Sequence, residues 1–127
     1  MARILIIEDS PTNMMLSVAV LESAGHTPLQ AERAAAGIEI ARREHPDLIL
    51  MDIQLPDMDG MEATRILKAG ADTQHIPIIA LTAFAMKGDR ERIMESGCDG
   101  YIEKPISYKE FLSEVDAILG GKGADDA

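Results

Sequence analysis

The sequence predicts a single α/β domain in which a parallel five-stranded sheet lies between two layers of helices. Three short runs, RILII, LILM and IIAL, are almost entirely apolar and do not alternate with polar residues. Such runs are typical of strands that are buried on both faces, as in a parallel sheet. Segments with helical spacing of apolar residues lie between the runs, so strand and helix alternate about five times. This order favours a doubly wound sheet with right-handed crossovers.

Capping and breaking residues bound the predicted elements of the first half. Ser10 and Pro11 supply a helix cap and a first-turn proline, and Gly25 ends that helix. Pro28 has no backbone N–H to donate, so the strand that contains it belongs at a sheet edge. Pro46 follows the end of the second, alanine-rich helix. The predicted elements are strands at Arg3–Ile7, Thr27–Ala31 and Leu48–Met51, and helices between Ser10 and Gly25 and at Ala34–Glu44.

The second half continues the alternation and ends in a polar segment. The fourth helix is strongly charged and has Ile93 and Met94 as its main apolar anchors, so we expect it to be loosely held. The last helix carries an apolar stripe from Tyr108 to Leu119. The predicted domain covers residues 2–120, and residues 121–127 are predicted to be a flexible tail. The other predicted elements are helices at Gly60–Ala69 and Phe84–Ser96 and strands at Ile78–Leu81 and Gly100–Glu103.

The burial of the strands predicts their order in the sheet. The three apolar strands belong in the centre, and the strands TPLQA and GYIE belong at the two edges. The resulting order is 2-1-3-4-5, which is the flavodoxin-like (βα)5 three-layer sandwich. In such a sheet a crevice forms at the switch point between strands 1 and 3.

Composition and charge exclude several classes of function. The 127 residues carry a formal charge of −10, which argues against a protein that binds nucleic acid. No apolar run reaches the length of about 20 residues that a membrane span needs, and the N-terminus does not read as a signal peptide. Cys98 is the only cysteine, so no internal disulfide can form, which fits the cytoplasm. The three histidines are too far apart for a transition-metal site.

Polar residues follow the predicted strands at the edge of the sheet where such folds bind ligands. Glu8 and Asp9 follow strand 1, and Asp52 follows strand 3. Thr82 follows strand 4, and Lys104 follows strand 5. Three acids in one pocket need a cation, and carboxylates are the hard oxygen ligands that suit Mg²⁺. The metal, the lysine and the hydroxyl together would hold a phosphoryl group, with an aspartate as its acceptor.

At these residues the chain resembles the receiver domain of two-component response regulators. The resemblance covers about Arg3 to Leu119 and is carried by the motifs IIEDSPTN, LILMDIQLPDMDG, ALTAF and YIEKPIS. Two subgroups are most similar: the receivers of hybrid histidine kinases and the DivK-like single-domain regulators of bacterial cell division. Because the chain starts next to strand 1 and stops after the last helix, we expect a free-standing, single-domain regulator.

The resemblance implies a role for each residue of the candidate site. Asp52 would be the phosphoacceptor, with Thr82 and Lys104 contacting the phosphoryl oxygens. Asp9 would bind Mg²⁺ directly and Glu8 mainly through water. The metal would also bind Asp52 and the backbone carbonyl of Gln54. Tyr101 would be the aromatic residue that turns inward when Thr82 moves, and the bond before Pro105 would be cis.

The resemblance also implies partners and a mode of action. A histidine kinase or histidine phosphotransfer protein would dock near the first helix, over Ser10, Pro11 and Met14. Phosphorylation would change the face formed by the fourth helix, the fifth strand and the fifth helix, where a downstream protein binds. The protein would be a monomer or weak dimer, and a switch rather than an enzyme. Phe84 either shields the phosphoryl group, giving slow autodephosphorylation, or only anchors the fourth helix.

The sequence argues against two other functions and leaves a third as an alternative. A phosphatase of the haloacid dehalogenase type needs a second acid two residues after its aspartate, but Gln54 and Pro11 occupy those positions. A flavodoxin needs a Ser/Thr/Gly phosphate loop after strand 1, whereas this chain has Glu8-Asp9-Ser10. The remaining alternative is a receiver-like module that binds proteins without being phosphorylated. Uptake of phosphate from a small donor distinguishes this module from a phosphorylated switch.

Overall fold

The computed structural model describes residues 2–83, 87–103 and 107–126, which form alternating strands and helices. The predicted fourth-helix start at Phe84, and the predictions for Lys104 and Pro105, lie outside these ranges. In chain order the elements are β1 (Arg3–Ile7), α1 (Pro11–Ser23), β2 (Thr27–Ala31), α2 (Ala34–Glu44), β3 (Leu48–Asp52), α3 (Gly60–Ala69), β4 (Ile78–Thr82), α4 (Lys87–Glu95), β5 (Gly100–Glu103) and α5 (Tyr108–Asp126).

The five strands form one parallel sheet of order β2-β1-β3-β4-β5. This confirms the predicted fold class and the placement of the Pro28 strand at an edge. The register places Ile7 of β1 beside Met51 of β3, and Asp52 beside Leu81 of β4. The residues that follow β1, β3 and β4 therefore meet at one edge of the sheet.

A hydrophobic layer covers each face of the sheet, because successive strand side chains point to opposite sides. Leu5 and Ile7 of β1 point to the layer that contains residues of α2, α3 and α4. Ile4 and Ile6 point to the other layer, which α1 and α5 complete. Phe111 of α5 is fully buried in this second layer. The central strands are consequently buried on both faces, as their unbroken apolar sequences predict.

Both ends of α1 match the sequence prediction. The backbone N–H of Asn13 donates to Ser10 Oγ at 3.3 Å, and Pro11 is the first helical residue. Gly25 has φ +87°, a conformation that glycine adopts without strain. These features fix the direction in which the chain leaves β1, and so the position of Glu8 and Asp9.

The fifth helix is long, and it ends at Asp126. The predicted boundary at residue 120 and the flexibility of residues 121–127 stay predictions. Within the described ranges, none of the helices has the length and apolar character to cross a bilayer.

Cys98 is buried below the end of α4, as expected of a small core residue, and its Sγ donates to the Ile93 carbonyl at 3.1 Å. Burial raises the pKa of the Cys98 thiol, so the reactive thiolate is scarce at neutral pH. We expect a thiol reagent to label the folded protein about 100-fold more slowly than the urea-unfolded chain, since labelling requires local opening. Stopped-flow absorbance measures both rates, and equal rates would contradict the burial.

Candidate metal and phosphoryl site

The sheet register brings three carboxylates together at the carboxyl edge. Glu8 and Asp9 follow Ile7, and Asp52 ends the neighbouring strand β3. One carboxylate oxygen of each residue lies within 4.8 Å of the corresponding oxygens of the other two. Glu8 and Asp52 are buried, with 1% and 3% of their surface exposed, whereas Asp9 is exposed. The predicted acidic cluster is therefore present in the fold.

The spacing of these oxygens fits a small divalent cation. Two unit negative charges about 5 Å apart repel each other by about 3 kcal/mol at an effective dielectric constant of about 20. A divalent cation bound between the carboxylates would attract each of them, and this attraction would outweigh their mutual repulsion. Octahedral Mg²⁺ holds its oxygen ligands at about 2 Å, so opposite ligands lie about 4 Å apart, close to the span of this cluster. Glu8, Asp9 and Asp52 thus have the donor type and spacing for Mg²⁺.

Backbone amides orient the two buried carboxylates. The N–H of Ser10 donates to Glu8 Oε2 at 3.2 Å, and the N–H of Gln54 donates to Asp52 Oδ1 at 3.0 Å. Each amide comes two residues after its carboxylate. The turn that follows each strand therefore orients the carboxylate at the end of that strand. The Gln54 amide also ties Asp52 to the residue whose carbonyl is the candidate fourth metal ligand.

The segment from Ile53 to Asp59, here called the 53–59 loop, connects Asp52 to α3. Asp59 caps α3, with its Oδ1 accepting from the Met61 N–H at 2.8 Å. The Gly60 N–H donates to the Ile53 carbonyl at 2.8 Å, and Gln54 and Asp59 pair as an isolated antiparallel bridge. The loop therefore closes like a small hairpin next to the candidate phosphoacceptor.

Thr82 and Tyr101 lie on the strands beyond Asp52. Thr82 ends β4 and is buried, and the pairing of Asp52 with Leu81 places it one residue further along the sheet edge. Tyr101 is half-buried and pairs with Ala80, two residues before Thr82. This arrangement is compatible with the predicted coupling of Thr82 and Tyr101, which stays a prediction. Lys104 and Phe84 belong to segments that the structure does not describe.

Arg90 of α4 contacts Tyr101, a contact that the sequence analysis missed. Its guanidinium carbon lies 5.7 Å from the centroid of the Tyr101 ring, and its Nη2 lies 3.3 Å from Glu103 Oε1. Arg90 belongs to α4 and the other two residues belong to β5, so no local sequence pattern predicts their contact. Arg90 thereby links α4 to the strand that carries the candidate switch tyrosine.

The apolar residues of α1 divide between the core and the surface. Met14 is 7% exposed and packs in the core. Met15 and Leu16 are 71% and 58% exposed. The docking of a phosphoryl donor over Ser10, Pro11 and Met14 stays a prediction.

Known proteins resemble this chain over most of its length. Residues 4–116 match the family model of the response regulator receiver domain. The polar-differentiation response regulator DivK of Brucella ovis is 46% identical over 117 residues, which cover 92% of this chain and 95% of that protein.

Two solved structures extend the comparison. The receiver domain of a sensor histidine kinase from Pseudomonas aeruginosa PAO1, which has a magnesium ion coordinated in its active site cleft, is 36% identical with a TM-score of 0.87. The alignment covers 94% of this chain and 98% of that one. The receiver domain of a signal transduction histidine kinase from Syntrophus aciditrophicus is 34% identical, with a TM-score of 0.88 and coverage of 95% and 92%. Both subgroups named from the sequence are thus among the similar proteins.

Proposed function

This chain belongs to the response regulator receiver domain family, and on that premise we propose that Asp52 accepts a phosphoryl group from a histidine kinase or a histidine phosphotransfer protein. The observation that carries the proposal is the convergence of Glu8, Asp9 and Asp52 at the carboxyl edge of the sheet. Their oxygens form the acidic pocket that a receiver domain needs.

Four oxygen donors of this chain would hold Mg²⁺: the carboxylates of Asp9 and Asp52 and the backbone carbonyl of Gln54 directly, and the carboxylate of Glu8 mainly through water. A magnesium ion in the active site cleft of the related Pseudomonas receiver supports this assignment. When bound, the ion would neutralise charge that develops on the transferring phosphoryl oxygens.

The transfer itself requires a carboxylate oxygen that is held in position for attack. The carboxylate of Asp52 attacks phosphorus, an O–P bond forms, and the P–N bond to the donor imidazole breaks. The N–H of Gln54 donates to Asp52 Oδ1 at 3.0 Å, which limits the rotation of the carboxylate. Thr82 and Lys104 would donate to the phosphoryl oxygens. Gln54 offers no charged base for water, so we expect slow autodephosphorylation.

The phosphoryl group would be read by a protein that binds the face formed by α4, β5 and α5. A groove on this face is lined by residues that include Met94, Tyr101, Glu103 and Lys109. The added charge would draw Thr82 toward the phosphate and let Tyr101 turn inward. This movement would shift the balance between the conformations of the α4-β5-α5 face.

The name of the Brucella relative supports a role in bacterial polar development or cell division. We propose a cytoplasmic monomer or weak dimer whose domain spans residues 2–120.

Uptake of phosphate from a small donor tests the proposal. Purified protein is incubated with acetyl phosphate and Mg²⁺ and followed by intact mass spectrometry. We expect one phosphoryl adduct, which excess EDTA prevents, and borohydride trapping should map it to the peptide that contains Asp52. If neither acetyl phosphate nor a phosphorylated histidine phosphotransfer protein gives an adduct, the chain acts as a protein-binding module that does not use phosphorylation.

A further inference from the structure

The second helix begins without a cap of its own. Arg33 occupies the capping position with an extended backbone, but its side chain makes no capping hydrogen bond, and the first turn of α2 contains no acidic residue. The first backbone N–H groups of a helix need acceptors, because they have no partner within the helix. These groups in α2 therefore require an acceptor from elsewhere in the chain.

Asp57 of the 53–59 loop supplies that acceptor. Its Oδ1 accepts from the Ala34 N–H at 2.9 Å, and its Oδ2 accepts from the Ala35 N–H at 3.0 Å. The amides of Ala35 and Ala34 lower the pKa of the Asp57 carboxyl. The stability gained from this contact is fully present above the ordinary carboxyl pKa and is lost only as the pH falls through the lowered value. Asp57 is therefore charged and bonded at neutral pH.

Asp57 lies at the tip of a loop whose base is the candidate phosphoryl site. The loop is closed at its base by the Gly60–Ile53 hydrogen bond, and Gln54 beside that bond donates to Asp52. Leu55 and Met58 are half-buried and pack against the core on the α2 and α3 side. The two bonds from Asp57 add a polar attachment to a helix that starts 23 residues earlier in the chain.

We propose that Asp57 is a positioning residue: by accepting the first two amides of α2, it holds the 53–59 loop so that Asp52 and the Gln54 carbonyl meet a divalent cation in fixed geometry. This inference rests on the proposed function, since it concerns the residue that holds the proposed metal and phosphoryl site in place. A ligand that is held before the metal arrives loses less conformational freedom on binding. Partners that orient metal ligands typically contribute 10- to 100-fold in metal affinity.

A pair of substitutions separates this role from simple helix capping. Asp57→Ala removes both acceptors, so we expect α2 to be less stable and Mg²⁺ to bind about 10-fold more weakly. Arg33→Ser in the same chain gives α2 a local cap, because serine is favoured at this position. The double variant should regain stability against urea but keep the weakened Mg²⁺ binding. Asp57→Asn, which retains one acceptor oxygen, should fall between Asp57→Ala and the unchanged protein.

Three measurements are made on each variant and on Arg33→Ser alone. Calorimetric titration with MgCl₂ gives the dissociation constant, and urea unfolding gives the stability. NMR hydrogen exchange reports on the Gln54 and Gly60 amides, which we expect to exchange faster in the double variant than in the unchanged protein. If Asp57→Ala is unstable, Asp57→Asn supplies the same comparison.

Two results would overturn the inference. One is Mg²⁺ binding by Asp57→Ala that equals that of the unchanged protein, and the other is recovery of both stability and Mg²⁺ affinity on adding Arg33→Ser. A failure of the proposed function is distinct from both, because the unchanged protein would then bind Mg²⁺ without taking phosphate from acetyl phosphate.

Discussion

Asp52→Asn is expected to abolish phosphorylation completely, with no adduct from acetyl phosphate at any time of incubation. An amide in place of the carboxylate has no anionic oxygen that can form an acyl phosphate. The fold should survive, because asparagine has nearly the same shape and its amide oxygen can still accept from the Gln54 N–H. Intact mass spectrometry measures the adduct, and circular dichroism measures the fold.

The matched control is Asp72→Asn, in the exposed turn between α3 and β4. It makes the same change of charge away from the acidic pocket, so its phosphorylation rate should equal that of the unchanged protein. An adduct of undiminished yield on Asp52→Asn would place the phosphoacceptor at another residue and contradict the assignment.

Gly60→Ala is expected to damage both the fold and the site. A Cβ at this position would overlap the backbone carbonyl oxygen of Asp52 and lie 2.7 Å from the Ile53 Cα. Both neighbours are backbone atoms, so the loop or the end of β3 must move. Overpacking of this kind costs about 2–3 kcal/mol. A displacement of Asp52 by about 1 Å would slow phosphorylation about 100-fold. Urea unfolding and the rate of adduct formation measure the two effects.

Gly88→Ala provides the matched control for this substitution. Gly88 lies in α4, and a Cβ there would meet nothing within 4 Å. Alanine favours helix more than glycine does, so stability should stay constant or rise by up to about 1 kcal/mol. If Gly60→Ala were as stable and as readily phosphorylated as Gly88→Ala, the close packing of α3 against the end of β3 would be required neither for stability nor for phosphorylation.

The sequence was sufficient to predict the strands, the sheet order and the acidic pocket. The three central strands are buried on both faces, so their apolar runs needed no tertiary information to be recognised. The acids were predictable because Glu8, Asp9 and Asp52 follow these strands directly, and parallel strands bring their carboxyl ends to one edge. The approximate position of Thr82 followed from the same argument.

Contacts between distant segments could not be predicted from the sequence. Asp57 accepts hydrogen bonds from backbone amides that lie 22 and 23 residues earlier in the chain. The sequence around Asp57 predicts only a loop. Arg90 contacts Tyr101 across two elements, so neither residue carries a periodic signal for the other.

The order of strands in the sheet has a consequence for how the protein emerges from the ribosome. The three acids and Thr82 all lie between residues 8 and 82, at or directly after the ends of strands β1, β3 and β4, which are neighbours in the sheet. The edge strand β5 and helix α5 are translated after these residues and complete the sheet and its second layer. A nascent chain therefore contains Glu8, Asp9 and Asp52 before it contains β5 and α5, which belong to the proposed partner-binding face. Truncation after β4 would remove the proposed partner-binding face but would keep the three acidic residues in the chain.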